Sequence, residues 1–216
     1  MDFAAARHNM VECQVRPNAV TDTRLLDALA EIPREAFVPK ARQGIAYVDE
    51  AVAVADGRYL MEPMVLGRLL QIADIAEDAV VLDIGCATGY SAAVLSRLAN
   101  TVVALECDPG LAAQATETLA GLSIDTVAVV EGPLDAGYAK QGPYDVILLD
   151  GAVAQIPDVI RDQIADGGRL VGIVDDGRVG KGTVLANYAG VFSSRQIFDA
   201  GTPALPGFAA APAFQF

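Results

Sequence analysis

The chain has 216 residues, of which 53% are apolar and 20% charged. That length suits one well-buried α/β domain, and that apolar content excludes a disordered chain. The formal net charge of −13 argues against a nucleic acid as partner, because phosphate-backbone binding needs a basic footprint.

In chain order, the opening "MDFAAARHNMVECQVRP" scatters its charges and lacks the apolar stretch of a secretory signal, so a cytoplasmic protein is expected. His8, the single histidine, reads as a surface or capping residue. "TDTRLLDALAE" (21–31) predicts an amphipathic helix with Leu25, Leu26 and Leu29 on one face and Thr21 or Asp22 as cap. "IPREAFVP" reads as a connecting loop anchored by Phe37 and Val38. "YVDEAVAVADGRYL" alternates like a strand pair around a turn at Asp56-Gly57. Pro63 suits the first turn of a helix over 63–75, with Val65, Leu66, Leu69 and Leu70 inward.

From Ala79 the texture changes. Strands "AVVLDI", "TVVALE", "TVAVVE", "YDVILLD" and "GRLVGIV" alternate with helices "YSAAVLSRLA", "GLAAQATETLAGL" and "IPDVIRDQIA", apart from a Gly/Pro loop before "YDVILLD". Such alternation predicts right-handed βαβ units and a mostly parallel sheet with helices on both faces. "GTVLANYAGVFSSRQIFDA" adds two short strands, expected as an antiparallel pair, and the Pro-rich tail "PALPGFAAAPAFQF" is expected to lie across the body. One domain is predicted, with residues 1–77 as an N-terminal helical cap and substrate-side segment and 78–216 as the core.

Other patterns narrow the chemistry. Mean hydropathy is +0.36, yet runs such as Val146 to Leu149 are short and none approaches the ~20 residues of a membrane span. Cys13, Cys86 and Cys107 have no CxxC spacing and read as reduced thiols. There is no HExxH and no GxSxG, so neither a metal site nor a Ser-His-Asp triad is expected. "DDGRVGKGTV" faintly suggests a phosphate-binding loop, but the spacing fails and Gly182 follows Lys181 where Ser or Thr is needed, so a glycine-rich turn is expected.

The informative stretch is "VVLDIGCATGYSAAVLSRLANTVVALECD" (80–108). The first strand ends at Asp83-Ile84-Gly85, which puts the turn Gly85 to Gly89 at the ligand edge of a parallel sheet. Glycine there lets the backbone bend and a ligand approach. A dinucleotide is disfavoured. Against G-x-G-x-x-G, Ala87 and Tyr90 stand at two of three glycine positions, Tyr90 brings a ring to the pyrophosphate position, and Asp83 would repel a polyanion. S-adenosyl-L-methionine fits better, with a sulfonium, an ammonium and a ribose but no phosphate. Asp83 can meet its amino-acid portion and Glu106, about twenty residues on, its ribose hydroxyls. The plainer alternative is that both acids merely cap strands and helices.

Beyond this motif, "MVECQVRPNAVTDTRLLDALAEIPREAFVP", "AYVDEAVAV", "VLDIGCATGYSAAVLSRLA" and "PYDVILLDGAVAQIP" resemble the protein-L-isoaspartate O-methyltransferase family over most of the chain. The Pro-Arg-Glu-x-Phe-Val-Pro run is the specific part. The resemblance implies a Rossmann-like S-adenosylmethionine-dependent methyltransferase fold. It also implies methyl transfer to the carboxylate of isoaspartyl residues in damaged proteins. It implies a cofactor site at Asp83, Gly85, Cys86, Ala87 and Gly89, then Glu106 and Cys107, then Pro133 and Leu134. The family's active-site segment falls on Tyr59, Met61 and Glu62, and no catalytic residue is assigned.

Three departures stand out. Met61 takes the place of the family's serine and has no hydroxyl to donate, with Glu62 adding a carboxylate beside it. The family's Gly-Asp-Gly, whose acid meets the adenine amino group, is Gly132-Pro133-Leu134. Ala87 stands where glycine is common. The partner is therefore a protein or peptide carboxylate, or a different small acceptor. A non-catalytic S-adenosylmethionine-binding protein is the remaining alternative, and the oligomeric state stays open.

Overall fold

The computed structural model describes residues 1–208. The chain opens with α1 (Phe3–Met10), an element the sequence reading did not assign, capped by Asp2, whose Oδ1 accepts from the Ala5 amide at 3.0 Å. A π-helical turn (Val11–Val15) and a 3-10 turn (Arg16–Asn18) extend it. Helix α2 (Thr23–Glu31) starts at Asp22, whose side chain accepts from the Arg24 amide at 2.8 Å, and it buries Leu25, Leu26, Ala28 and Leu29. The segment read as a plain loop contains a 3-10 turn, Arg34–Phe37, with Phe37 and Val38 buried as anchors.

Strands β1 (Val52–Ala55) and β2 (Arg58–Leu60) form an antiparallel hairpin separate from the main sheet. Its turn is at Asp56-Gly57, with Gly57 at φ +64°. Helix α3 (Pro63–Ala73) has proline in its first turn and stops two residues short of the expected Ile75, because Asp74 turns left-handed at φ 49°.

The main sheet follows: β3 (Val80–Ile84), α4 (Tyr90–Leu95), β4 (Thr101–Glu106), α5 (Pro109–Gly121), β5 (Val127–Glu131), β6 (Tyr144–Val153), α6 (Asp158–Arg161), β7 (Ile164–Val174), β8 (Lys181–Tyr188) and β9 (Val191–Asp199). Among the described residues it has seven strands in the order β5-β4-β3-β6-β7-β8-β9. Strands β3 to β7 pair in parallel, and β7-β8 and β8-β9 pair antiparallel. The final pair was expected, but each strand is long rather than short. The 175–180 segment between β7 and β8 is the glycine-rich turn, and Lys181 pairs with Asp199 at 2.5 Å instead of facing a phosphate.

Alternation along the strands divides the core. Val81, Val102, Ala104, Val146 and Leu148 pack with α2, α3, α4 and the N-terminal cap. Leu82, Ile84, Val103, Leu105, Ile147 and Leu149 pack on the other side with Leu134, Tyr144, Ile160, Leu205 and Phe208. This second side carries less helix than the sequence suggests. The helix expected over 156–165 is the single turn α6, because Ile164 is drawn into β7 opposite Tyr144. The tail lies across the body as far as it is described: Ala152 and Ala204 form a parallel bridge, and Leu205 and Phe208 are buried. Residues 209–216 of that tail lie outside the described residues. Because β4 and β5 extend the sheet to one side of β3 while β6 lies on the other, the connections diverge at the carboxyl ends of β3 and β6. That is the switch point where open α/β sheets bind ligands.

Candidate cofactor cleft and active site

The turn after β3 is suspended from the neighbouring strand. The Gly85 and Cys86 amides both donate to the Leu105 carbonyl, at 2.9 and 3.3 Å, and the Gly89 amide closes onto the Cys86 carbonyl at 2.7 Å. Gly85 and Gly89 sit at φ +88° and +95°, and Ala87 also turns left-handed at φ 49°. A Cβ at Gly89 would stand 3.2 Å from Ala115 of α5, so glycine also permits the close helix packing. Thr88 fastens the turn to the N-terminal cap by donating its hydroxyl to the Phe37 carbonyl at 2.6 Å.

Tyr90 is not where the sequence placed it. Its ring is buried edge-on against Phe37, with centroids 5.6 Å apart, and the Arg34 guanidinium lies over it at 4.7 Å. It therefore packs within the cap and does not project into the position of a pyrophosphate. The hydrophobic surroundings and the cation–π stacking with Arg34 account for its inward turn.

Three carboxylates converge on this edge. Asp83 on β3 and Glu106 at the end of β4 are fully buried, and Asp150 on β6 is nearly so. Asp83 Oδ2 accepts from the Ser91 hydroxyl at 2.6 Å, while Asp83 Oδ1 and Asp150 Oδ1 are buried with no protein partner. Burial raises both acids, Asp83 well above the usual range with the Asp150 charge adding to the shift, and Asp150 to about 6. A cation at this point would satisfy two oxygens that have no donor of their own.

Glu106 is saturated. Oε2 accepts from the Arg58 guanidinium at 2.5 Å and the Ala87 amide at 2.8 Å, and Oε1 from the Cys107 and Asp108 amides at 2.9 and 3.0 Å. The Gly132 amide donates to the Glu106 carbonyl at 3.0 Å, which brings the Pro133-Leu134 turn beside Glu106, with Pro133 exposed and Leu134 buried. Cys86 is buried and Cys107 exposed, and both thiols are raised, first by burial and then by the neighbouring acids. Neither has the lowered pKa of a nucleophilic thiol.

In the segment expected to face the acceptor, Tyr59 is exposed and Met61 is buried. Both line a small cavity with Arg58, Asp150 and Gly151. Glu62 is half-buried, its pKa is raised by burial, and its Oε2 has no partner. The sequence reading missed four residues here: Arg34, Arg58, Asp150 and Leu205. Arg34, inside the Pro-Arg-Glu run, is fully buried and donates to the Ala46 and Met61 carbonyls, each at 2.7 Å, which holds the segment around Met61 to the cap. Asp150 was detectable as an acid closing an apolar strand, the same signal that singled out Asp83. Arg58 and Leu205 carry no local signal, because their partners lie 48 residues away and on other strands.

Residues 5–186 match the family model described as Protein-L-isoaspartate(D-aspartate) O-methyltransferase (PCMT). The chain belongs to this family. It is 37% identical over 171 residues to a protein-L-isoaspartate O-methyltransferase of Roseiflexus castenholzii, covering 79% of this chain and 78% of the relative. It is 38% identical over 165 residues to that of Methanoculleus marisnigri, covering 76% and 75%. A solved protein-L-isoaspartate O-methyltransferase superposes with TM-score 0.82 at 24% identity, over 93% of this chain and 66% of that one. A Plasmodium falciparum β-aspartate methyltransferase (PCMT) in complex with S-adenosyl-L-homocysteine superposes with TM-score 0.75 at 15% identity, over 95% and 98%. At those identities the two structures establish the fold, a Rossmann-like S-adenosylmethionine-dependent methyltransferase fold. The PCMT family uses S-adenosylmethionine as its cofactor.

Proposed function

We propose that this family member transfers a methyl group from S-adenosylmethionine to the free carboxylate of isoaspartyl residues in proteins or peptides. The observation that carries the reading is the convergence of Asp83, Glu106 and Asp150 on one glycine-bounded turn at the switch point, in a chain belonging to this family.

The residues suit the cofactor's charge. Asp83 Oδ1 and Asp150 Oδ1, buried without donors, support a site for a cationic amino-acid portion. Glu106 carries the acceptor oxygens that ribose hydroxyls need, held in this structure by Arg58 and three amides, and Gly85 and Gly89 let the turn bend tightly beside it. The Pro133-Leu134 turn offers an apolar wall in place of the family's adenine-binding acid. When bound, the cofactor supplies a methyl group activated by attachment to a positively charged sulfur. The acceptor carboxylate is already anionic at neutral pH, so this chain needs no general base for it. Its task is alignment and exclusion of water. Met61 does the second, and Arg34 holds the Met61 backbone for the first.

One observation favours a second acceptor. Glu62, half-buried with an unpartnered oxygen beside Met61, would repel a carboxylate and attract an amine. A cytoplasmic setting agrees with the unpaired cysteines, and no helix among the described residues is long and apolar enough to cross a membrane.

The test incubates the protein with labelled S-adenosylmethionine and either an isoaspartyl peptide or its normal aspartyl isomer. The expected result is base-labile label on the isoaspartyl peptide alone. Cofactor binding without label on that peptide would move the assignment to the second acceptor.

A further inference from the structure

The cleft that the cofactor reading requires is filled by the chain itself. The Arg58 guanidinium donates to Glu106 Oε2 at 2.5 Å and to the Gly85 carbonyl at 3.0 Å. With the Ala87, Cys107 and Asp108 amides already on Glu106, the roughly four acceptor positions of a carboxylate are all taken. No acceptor remains for a ribose hydroxyl until Arg58 withdraws.

A second occupant comes from the other end of the chain. The Ala152 amide donates to the Pro203 carbonyl at 2.9 Å, and the Leu205 amide donates to the Ala152 carbonyl at 2.8 Å. This lays residues 203–205 along the end of β6. The Leu205 side chain then settles on two glycines of the cleft. A Cβ built on Gly85 would meet Leu205 Cδ2 at 2.6 Å, and one on Gly151 would meet Leu205 Cγ at 2.7 Å. The space those glycines leave open for a ligand is taken by leucine.

What remains between Arg58, Tyr59, Met61, Asp150 and the 202–205 segment is a cavity of about 10 Å³. That is room for about one water, whereas small-molecule sites run to roughly 300–1,000 Å³. Neither occupant lies in a strand of the main sheet. Arg58 sits on a two-stranded hairpin outside the main sheet, and the 203–205 segment is joined to β6 by one bridge.

We infer that Arg58 and Leu205 form an internal latch that occupies the S-adenosyl cleft, so that cofactor binding must displace both the β1–β2 hairpin and the C-terminal strap. This rests on the cofactor reading above and adds its regulation. In the closed form the guanidinium of Arg58 pairs directly with the buried Glu106 carboxylate, and Arg34 adds a second positive charge near Asp150. The apparent affinity for cofactor is lowered by the fraction of molecules that are closed.

The experiment is calorimetric titration of S-adenosyl-L-homocysteine into the full chain, Arg58→Ala and Leu205→Ala, with hydrogen exchange of the full chain at saturating ligand. The two substitutions lie on different elements, so misfolding of one leaves the other informative. The expected result is a dissociation constant at least tenfold lower in either folded variant, with the Leu205 amide losing protection when ligand binds. Binding by the full chain with an unchanged or higher constant in the variants, or added protection at Leu205, would overturn the latch and leave the cofactor site standing. Absence of binding in all three proteins would overturn the cofactor reading, and the latch with it.

Discussion

Replacing Glu106 with alanine tests the centre of the site through stability, independently of any ligand. Glu106 is fully buried and holds the Arg58 guanidinium at 2.5 Å, with the Arg58 side chain only 7% exposed. Removing one partner of a buried ion pair typically costs about 3–5 kcal/mol, because the remaining charge is left without compensation. Arg58 would keep the Gly85 carbonyl at 3.0 Å. The Ala87 amide, buried in the turn, would lose its acceptor at a cost of about 1–3 kcal/mol. The Cys107 and Asp108 amides lie at exposed residues where water can replace the carboxylate, and they add little. The contributions share one network and do not simply add, so about 4 kcal/mol is a conservative sum. That is a large part of the roughly 5–15 kcal/mol that holds a typical domain together. It corresponds to a fall of about 8–16 °C in Tm for a chain of this size. Urea denaturation of Glu106→Ala, Arg58→Ala and the double variant measures it. The double variant should lose about 2 kcal/mol less than the two singles together. A Glu106→Ala loss below about 1 kcal/mol, or strict additivity, would show that the buried pair is not formed.

Asp150 has a folded pKa raised from 3.8 to about 6, so the native protein keeps a proton that the unfolded chain has released. Its contribution is fully present below 3.8 and is lost as pH rises through about 6. Asp83 is raised as well, so urea midpoints from pH 5 to 7.5 should decline in the parent and decline less steeply in Asp150→Asn, and parallel profiles would count against the assignment. Arg34→Lys cannot serve the Ala46 and Met61 carbonyls together while stacking on Tyr90. It should cost about 2 kcal/mol in urea unfolding, and a loss under about 0.5 kcal/mol would refute the clamp. Met61→Ser combined with Glu62→Gln restores a donor and removes a repulsion, so methylation of an isoaspartyl peptide should rise roughly tenfold. No gain in that assay would mean that the acceptor pocket differs by more than these two side chains.

Local pattern was enough for much of the architecture, because burial imposes a period. Leu25, Leu26 and Leu29 recur at helical spacing and are buried on α2. Val81 and Leu82 belong to opposite core clusters because successive strand residues face opposite ways. Asp83, Gly85, Gly89 and Glu106 were legible because an acid closing an apolar strand and a glycine bending the backbone are local signatures of a ligand edge. The pattern failed where a distant partner overruled it. Ile164 fits a helix by sequence but joins β7 because Tyr144 is there to pair with it. Tyr90 turns inward because Phe37 and Arg34 surround it.

The amino-acid sequence by itself determined the βαβ alternation, the position of the glycine turn and the acids beside it. These depend on periodicity and residue identity, which neighbours in the chain decide. Only the tertiary structure decided that Arg58 neutralises Glu106 across 48 residues and that Leu205 covers Gly85 and Gly151. Those contacts join a hairpin, a strap and two strand ends that meet only once the sheet has formed, and a buried charge acquires its partner through that assembly rather than through spacing.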